Sequence, residues 1–393
     1  MKPSKINISV ITGSRAEYGL LKKFLFLLKK DKKINLNLIV TGSHLSKSHG
    51  NTQTEIIKDG FRNFDKIYLS LKKGKNSEII NSMSKLLSSY DKIFFKRKPN
   101  LVFVLGDRYE LLPAAISCLI NRYNLAHIHG GEVTNGAYDD EIRHCISKIA
   151  QLHFVTHKTH KKRLIQMGEN EKNIFNVGGL GVDAIQKVKI IKKNELEKKF
   201  KIKFLKKNIL VTFHPVTKEQ SNIKMQINSL LSALKKLKNT FIIFTGVNTD
   251  SNYSIIDNQI NKFVKKSKNY KIIPSLGQKN YFSMLRYIDG VVGNSSSGIL
   301  EAPSFKIATI NIGSRQDGRI QSKSVINCSY KTKDIAKALD KIYNYKFKNI
   351  LKKNINPYGK PGSSKKIYSV VKRYKKLNFE KKFVDLIFKE ILK

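Results

Sequence analysis

The feature that most constrains this chain is a recurring apolar, β-branched run, five to eight residues long, that ends in glycine or a polar turn. A first series comprises INISVITG (6–13), NLNLIVTG (35–42), LVFVLGD (101–107), LAHIHGG (125–131), LHFVTH (152–157) and IFNVGG (174–179). A second comprises NILVTFHP (208–215), TFIIFTG (240–246), YKIIPSL (270–276), GVVGNSS (290–296), IATINIG (307–313) and SVINC (324–328). Helix-length segments such as YGLLKKFLFLLKK (18–30) separate most of them. A strand with one wet face alternates apolar and polar residues, whereas these runs are continuous. They therefore predict parallel sheets covered by helices on both faces. Two series predict two doubly wound α/β domains, in keeping with a length of 393 residues. The lysine-rich segment 187–207 carries no motif, which places the boundary near residue 183. The expected division is 1–183, 184–365 and a helical tail over 366–393.

In open parallel sheets, ligands bind beyond the carboxyl ends of the strands. Two such domains facing each other would form a cleft, and nearly every polar motif falls at those strand ends. ITGSRAEYGLL (11–21) is a strand, a turn at Gly13 and a helix start, where Arg15 is placed to grip a phosphate. The alternative makes Ser14 an ordinary cap and leaves Arg15 solvated. LVFVLGDRYELLPAA (101–115) sets Asp107 at a strand end, followed by Arg108 and Glu110, and a plain helix cap is the simpler reading of Asp107. AHIHGGEVTNGAYDDEIRHCISKIA (126–150) adds Glu132, the pair Asp139–Asp140 opening a helix, and Arg143. Carboxylates in unlike environments are what acid–base chemistry requires, because their pKa values can be driven apart. His127 and His129 share one strand face, but a zinc site needs more ligands at suitable spacing, so no metal is expected.

Eight of the nine histidines precede residue 161, and the exception, His214, ends a strand in the second series. GVVGNSSSGILEAPS (290–304) ends another at Gly293 and offers Ser295, Ser296 and Ser297 at a helix start that carries Glu301. Serine hydroxyls and bare N–H groups suit a diphosphate, and a glutamate one turn in suits the two hydroxyls of a ribose. A capping-box arrangement is the plainer account. NIGSRQDGR (311–319) supplies further arginines and favours a nucleoside diphosphate.

The formal net charge of +46 invites a nucleic-acid reading. Only eleven of the 75 basic residues are arginine, and the lysines travel with asparagine and isoleucine along most of the chain. That mixture is background composition, without RNP-like aromatics or zinc-finger spacing. Five of the eleven arginines (Arg15, Arg108, Arg143, Arg315, Arg319) fall in the motifs above, where a planar fork grips carboxylate or phosphate with two bonds. No stretch approaches the roughly 18 apolar residues that span a bilayer. Three cysteines without metal-type spacing and an N-terminus that runs straight into a strand predict reduced thiols in the cytoplasm.

Taken together, TGSRAEYGLL, LGDRYE, HIHGGE, DDEIRH, FHP, GNSSSG, EAPS and NIGSRQDGR stand in the order found in the hydrolysing UDP-N-acetylglucosamine 2-epimerases of sialic and legionaminic acid biosynthesis, which this chain resembles over about residues 10–328. The resemblance implies the two-domain GT-B fold, with catalytic roles for Asp107, Glu132, Asp139 and His214 and support from Asp140, Arg143 and Arg108. It implies UDP-binding roles for Arg15, Ser295, Ser296, Ser297, Glu301 and Arg319, no cofactor, and a homo-oligomer. The implied reaction converts UDP-N-acetylglucosamine and water to N-acetylmannosamine and UDP. The alternative is the same reaction on UDP-2,4-diacetamido-2,4,6-trideoxyglucose (UDP-diacetylbacillosamine). A GT-B glycosyltransferase would have no C2 proton to remove and so no use for the carboxylates. A basic polyanion-binding protein gives no reason for carboxylates and arginines to gather at strand ends.

Overall fold

The computed structural model describes residues 5–46, 51–69, 76–134, 138–186, 188–216, 222–246, 253–373 and 381–386. The chain divides into two compact units. One comprises Met1–Glu132, Tyr138–Ala184 and Gly359–Lys393, the other Val133–Ala137 and Ile185–Tyr358.

The first unit is built on seven strands: β1 (Ile6–Thr12), β2 (Ile34–Val40), β3 (Asp65–Lys66), β4 (Leu101–Leu105), β5 (Leu125–Ile128), β6 (Leu152–Val155) and β7 (Ile174–Asn176). All pair in parallel, in the order β3-β2-β1-β4-β5-β6-β7. Continuous apolar strands produce this because both faces are covered. Ile8, Val10, Phe103 and Leu105 pack into one core, and Ile11, Ile39, Val102 and Val104 into another. The helix Arg15–Lys30 covers one face through Tyr18, Leu21, Phe24, Leu25 and Leu28, the three- and four-residue spacing of a single helical stripe. Ser14 caps its start and Lys29 and Lys30 lie in its last turn, where the macrodipole favours cations. The two-residue edge strand β3 is the one strand that no apolar run announces.

The second unit repeats the plan with β8 (Lys207–Thr212), β9 (Thr240–Thr245), β10 (Tyr270–Ile273), β11 (Gly290–Gly293), β12 (Ala308–Ile312) and β13 (Val325–Cys328). These are parallel in the order β10-β9-β8-β11-β12-β13. In each sheet the winding direction reverses once, between β1 and β4 and between β8 and β11. The loops on either side of such a reversal diverge and leave a crevice at the strand ends.

Of residues 366–393, expected as a helical tail, those described are helical over 366–373. The helix Ser363–Arg373 belongs to the first unit, and Lys381–Leu386 has neither helix nor strand. Residues 374–380 and 387–393 lie outside the described residues. Asp183 fastens this return of the chain. Its buried carboxylate accepts from Lys23 Nζ at 2.5 Å, the Gly362 amide at 2.8 Å and the Ser364 amide at 2.9 Å. Burial alone would raise its pKa, but these donors outweigh burial and hold the carboxyl below the usual range. Asp183→Ala strands a mostly buried ammonium and two amides, a loss of about 3 kcal/mol in urea unfolding at pH 7. Because the folded pKa is depressed, the contribution is complete above the unfolded value of ~3.9 and disappears as pH falls through the folded one. The stability gap between wild type and D183A therefore closes in acid.

Candidate active site

In the first unit the loops after β1 and β4 meet at the strand-order reversal. The Gly13 amide donates to Glu17 Oε2 at 2.7 Å. Across the reversal, Arg108 binds Glu110 through Nε and Nη2, the shortest contact being 2.7 Å, and its Nε lies 3.6 Å from Glu17 Oε1. Glu17 and Glu110 are both buried, so one guanidinium serves two carboxyl groups. Burial pushes the Glu17 carboxyl from its ordinary value of 4.5 up to about 7, with the Glu110 charge adding to the rise and Arg108 opposing it. Arg15 is half exposed and pairs with Glu55, while Ser14 is the helix cap.

Asp107 does not cap a helix, since the next one begins at Leu112. It pairs instead with the buried Arg143, which also reaches Asp140 at 3.3 Å. His144 Nε2 lies 3.5 Å from the other oxygen of Asp140. Asp139 and Asp140 open the helix Asp139–Ile149, as expected from its macrodipole, and both are half-buried. Arg143 thus ties the loop after β4 to the first turn of that helix.

Glu132 follows β5 and is 4% exposed. It accepts from the Thr156 hydroxyl at 3.0 Å, and His129 Nδ1 lies 3.5 Å away. Thr156 has one hydroxyl proton and gives it to Glu132, so His160 Nδ1, 2.8 Å from the same oxygen, must be the donor of that pair. Burial pushes the His160 imidazole down to about 4 despite the Glu132 charge. His127 is a buried bridge rather than a metal ligand. Its Nε2 donates to the Gly106 carbonyl at 2.7 Å, and its Nδ1 then accepts from Ser147 Oγ at 2.9 Å. Burial pushes it down to about 3, so it stays neutral. Among the described residues no group of three or more His, Cys, Asp or Glu is arranged to hold a metal ion, and no helix is long and apolar enough to cross a membrane.

In the second unit His214 follows β8. The buried side chain of Asn294, after β11, accepts from the His214 amide at 2.7 Å and donates to its carbonyl at 2.8 Å. The Asn294 carbonyl in turn accepts from Arg315 at 3.1 Å and Gln316 at 2.8 Å. Gly293 has φ +132, and any Cβ there would run into the Thr212 carbonyl, so the β8 and β11 ends approach closely only with glycine. Burial, with the Arg315 charge beside it, pushes His214 down to about 3.

The three serines divide their work. Ser295 caps the short helix Ser296–Leu300 by accepting from the Ser297 amide at 3.4 Å. The Ser297 hydroxyl bonds Tyr281 at 2.5 Å and also the Glu301 carboxyl, which makes it a support for Glu301. Ser296 is half-buried at the helix start. Burial pushes the Glu301 carboxyl up to about 7, opposed by the Ser297 hydrogen bond and the Arg319 charge. Glu17, Thr156, His160, Tyr281 and Asn294 escaped the sequence reading. Glu17 and Asn294 lie inside quoted motifs but bind backbone groups, while Thr156, His160 and Tyr281 make side-chain pairings that no motif marks.

Glu17 has a measurable signature. Its folded pKa exceeds that of the unfolded chain, so stability falls as pH rises from 4.5 towards about 7, by at most roughly 3 kcal/mol. Glu17→Gln keeps the Gly13 bond and carries no proton to lose. Urea unfolding at pH 5 and pH 8 is expected to show that slope in the wild type and a shallower one in E17Q.

Comparison with known proteins places this arrangement. A family model described as UDP-N-acetylglucosamine 2-epimerase matches residues 27–372. A GDP/UDP-N,N'-diacetylbacillosamine 2-epimerase (hydrolyzing) of Campylobacter jejuni is 40% identical over 346 residues, covering 88% of this chain and 89% of the relative. Polysialic acid biosynthesis protein P7 of Escherichia coli is 37% identical over 368 residues, covering 93% and 94%. The crystal structure of UDP-GlcNAc 2-epimerase from Neisseria meningitidis, bound to UDP-GlcNAc, superposes with a TM-score of 0.82 at 18% identity, over 94% of this chain and all of that one. Its likeness is one of fold, two Rossmann-like domains of the GT-B kind. With a family model spanning most of its length and relatives at 40% and 37% identity, the chain belongs to the UDP-N-acetylglucosamine 2-epimerase family.

Proposed function

We propose that this protein is a hydrolysing 2-epimerase that takes a UDP-linked 2-acetamido sugar and water to the free manno-configured sugar and UDP. The observation that carries the reading is the set of carboxylates at the strand ends of the first unit. Asp107 and Asp140 are gathered by Arg143, and Glu132 is held by Thr156. Family membership gives that set a reaction that needs it.

The C2 proton of such a sugar is not acidic while C1 carries no carbonyl. As the C1–O bond to UDP breaks, positive charge grows on the ring and the proton becomes removable. The electron pair of the C2–H bond forms the C1=C2 double bond, UDP leaves with the C1–O pair, and the product is a 2-acetamidoglycal. Water then adds its oxygen to C1 and a proton to the opposite face of C2. Asp107, Glu132 and Asp139 supply the acid and base for these transfers. His214 is neutral at physiological pH and serves as a hydrogen-bonding and proton-carrying partner. Arg15, Ser295 and Ser296 hold the diphosphate, and Glu301, supported by Ser297 and Arg319, accepts from the ribose hydroxyls.

The name of the Campylobacter relative at 40% identity supports the diacetamido sugar as substrate. The E. coli relative at 37%, named for polysialic acid biosynthesis, supports UDP-N-acetylglucosamine as the second reading. Both are tested by proton NMR in D₂O. Turnover of either nucleotide sugar is expected to give UDP and a free manno sugar with deuterium at C2. Folded protein that turns over neither would sink the proposal. Glu132→Gln and Asp107→Asn should each lower kcat by ~10²–10⁴-fold, the usual contribution of a positioned acid or base. The Glu301 reading has its own test by calorimetry. A carboxylate titrating near 7 accepts from a ribose better once ionised, so wild type should bind uridine more tightly at pH 8 than at pH 6. In Glu301→Gln that pH dependence is expected to vanish.

A further inference from the structure

A second buried charge cluster in the first unit takes no part in the chemistry above. Glu169 is 4% exposed and accepts from Lys381 Nζ at 2.5 Å, Lys148 Nζ at 3.0 Å and His153 Nε2 at 3.1 Å. Lys381 belongs to the short segment Lys381–Leu386 near the end of the chain. Its ammonium also donates to the Ala150 carbonyl at 2.5 Å and lies 3.5 Å from the Ser147 carbonyl. Three protons thus meet three acceptors, two of them carbonyls at the C-terminal end of the helix Asp139–Ile149. The last carbonyls of a helix lack intrahelical donors and carry the negative end of its dipole, so a cation there caps the helix.

The rest of the segment is fastened beside this point. The Val384 amide donates to the Gly168 carbonyl at 3.0 Å. The Phe383 ring lies against Gly168, where a Cβ would meet it at 2.5 Å, and under Lys148 Nζ at 4.3 Å. Phe383 remains largely exposed, which makes Lys381 the stronger anchor. The groups facing Lys381 are Glu169, Lys148 and His153. Burial holds the last of these neutral, so one carboxylate balances two ammonium groups with no third cation.

The capped helix is the one that organises the candidate active site. Arg143 on it binds Asp107 and Asp140. The Ser147 hydroxyl donates to His127, which donates to the carbonyl of Gly106, the residue before Asp107. We propose that Lys381 is a positioning residue, capping the helix Asp139–Ile149 from the C-terminal segment and so holding Arg143 and Asp107 in their working geometry. The activity part of this inference rests on the function proposed above, and the structural part does not.

The test uses the full chain with Lys381→Met, which keeps most of the side chain's bulk and leaves Glu169 with Lys148 and His153. Amide hydrogen exchange across 139–149 is expected to quicken by about tenfold, the signature of a helix whose local opening has become easier. With the sugar that the wild type turns over, kcat should fall about tenfold while KM and UDP affinity stay within about twofold, a loss confined to the transition state. Lys381→Arg, which keeps a cation at the same carbonyls, should restore most of both. Unchanged exchange in K381M would overturn the capping role whatever the activity, and faster exchange with unchanged kcat would overturn the positioning role. If K381M does not fold, Phe383→Ala loosens the segment with all three acceptors kept, and must quicken exchange in the same helix. If the wild type turns over neither sugar, the functional reading fails while the exchange comparison still decides the capping.

Discussion

Everything at the candidate site depends on one topological constraint, the reversal of winding direction in each sheet. On one side of the reversal the loops lead to one face of the sheet, and on the other side to the opposite face, so the strand ends between them are left uncovered. Some backbone groups there, such as those of Gly13 and His214, take side-chain partners. Both units solve this with a tie across the gap. In the first, Arg108 after β4 reaches back to Glu17 after β1. In the second, the Asn294 amide after β11 grips both backbone groups of His214 after β8. A side chain bonded twice to one residue fixes orientation as well as distance, which a single bond does not.

Those ties shape the electrostatics. His127, His160 and His214 are all buried, and burial drives each far below neutrality, so all three are neutral, and the ring bonds of His127 and His160 define their tautomers. The imidazoles therefore place no positive charge beside the carboxylates. Burial acts on acids in the opposite sense, and Glu17 and Glu301 are brought to about 7. Glu301 belongs to the second unit's serine loop, and Glu17 to the β1 turn of the first. Glu17 and Glu301 are thus two carboxyls whose charge changes near neutrality, each within a turn or two of a strand end.

How far this was legible in the sequence follows from the range of each interaction. Continuous apolar runs marked twelve strands because burial on both faces dictates residue type at every position, whereas β3, with only Asp65 and Lys66 on a sheet edge, carries no such demand. Glu132 and the Asp139–Asp140 pair stood out because strand ends and helix starts have local signatures. Asp107 read more simply as a cap, since its true partner Arg143 is 36 residues away. Ser297 read as a phosphate ligand, yet its hydroxyl is spent on Tyr281 and Glu301. The lysine-rich end of the chain looked like a plain helical tail because Lys381 resembles every other lysine until Glu169 is placed beside it.

The arginines show why composition and geometry have to be read together. In a chain with so much lysine, arginine in the motifs pointed to forks that grip carboxylate or phosphate. The forks of Arg108 and Arg143 are occupied by the chain's own carboxylates, those of Glu110, Glu17, Asp107 and Asp140. Arg315 donates to the carbonyl of Asn294, the residue that clamps His214. The fork suits Arg108 and Arg143 because each guanidinium meets two carboxylates at once, and a lysine ammonium has no fixed plane with which to do so. Asp107 and Asp140 are thereby secured by the fork of Arg143, Glu301 by Ser297 and the Arg319 charge, and Glu132 by the Thr156 hydroxyl.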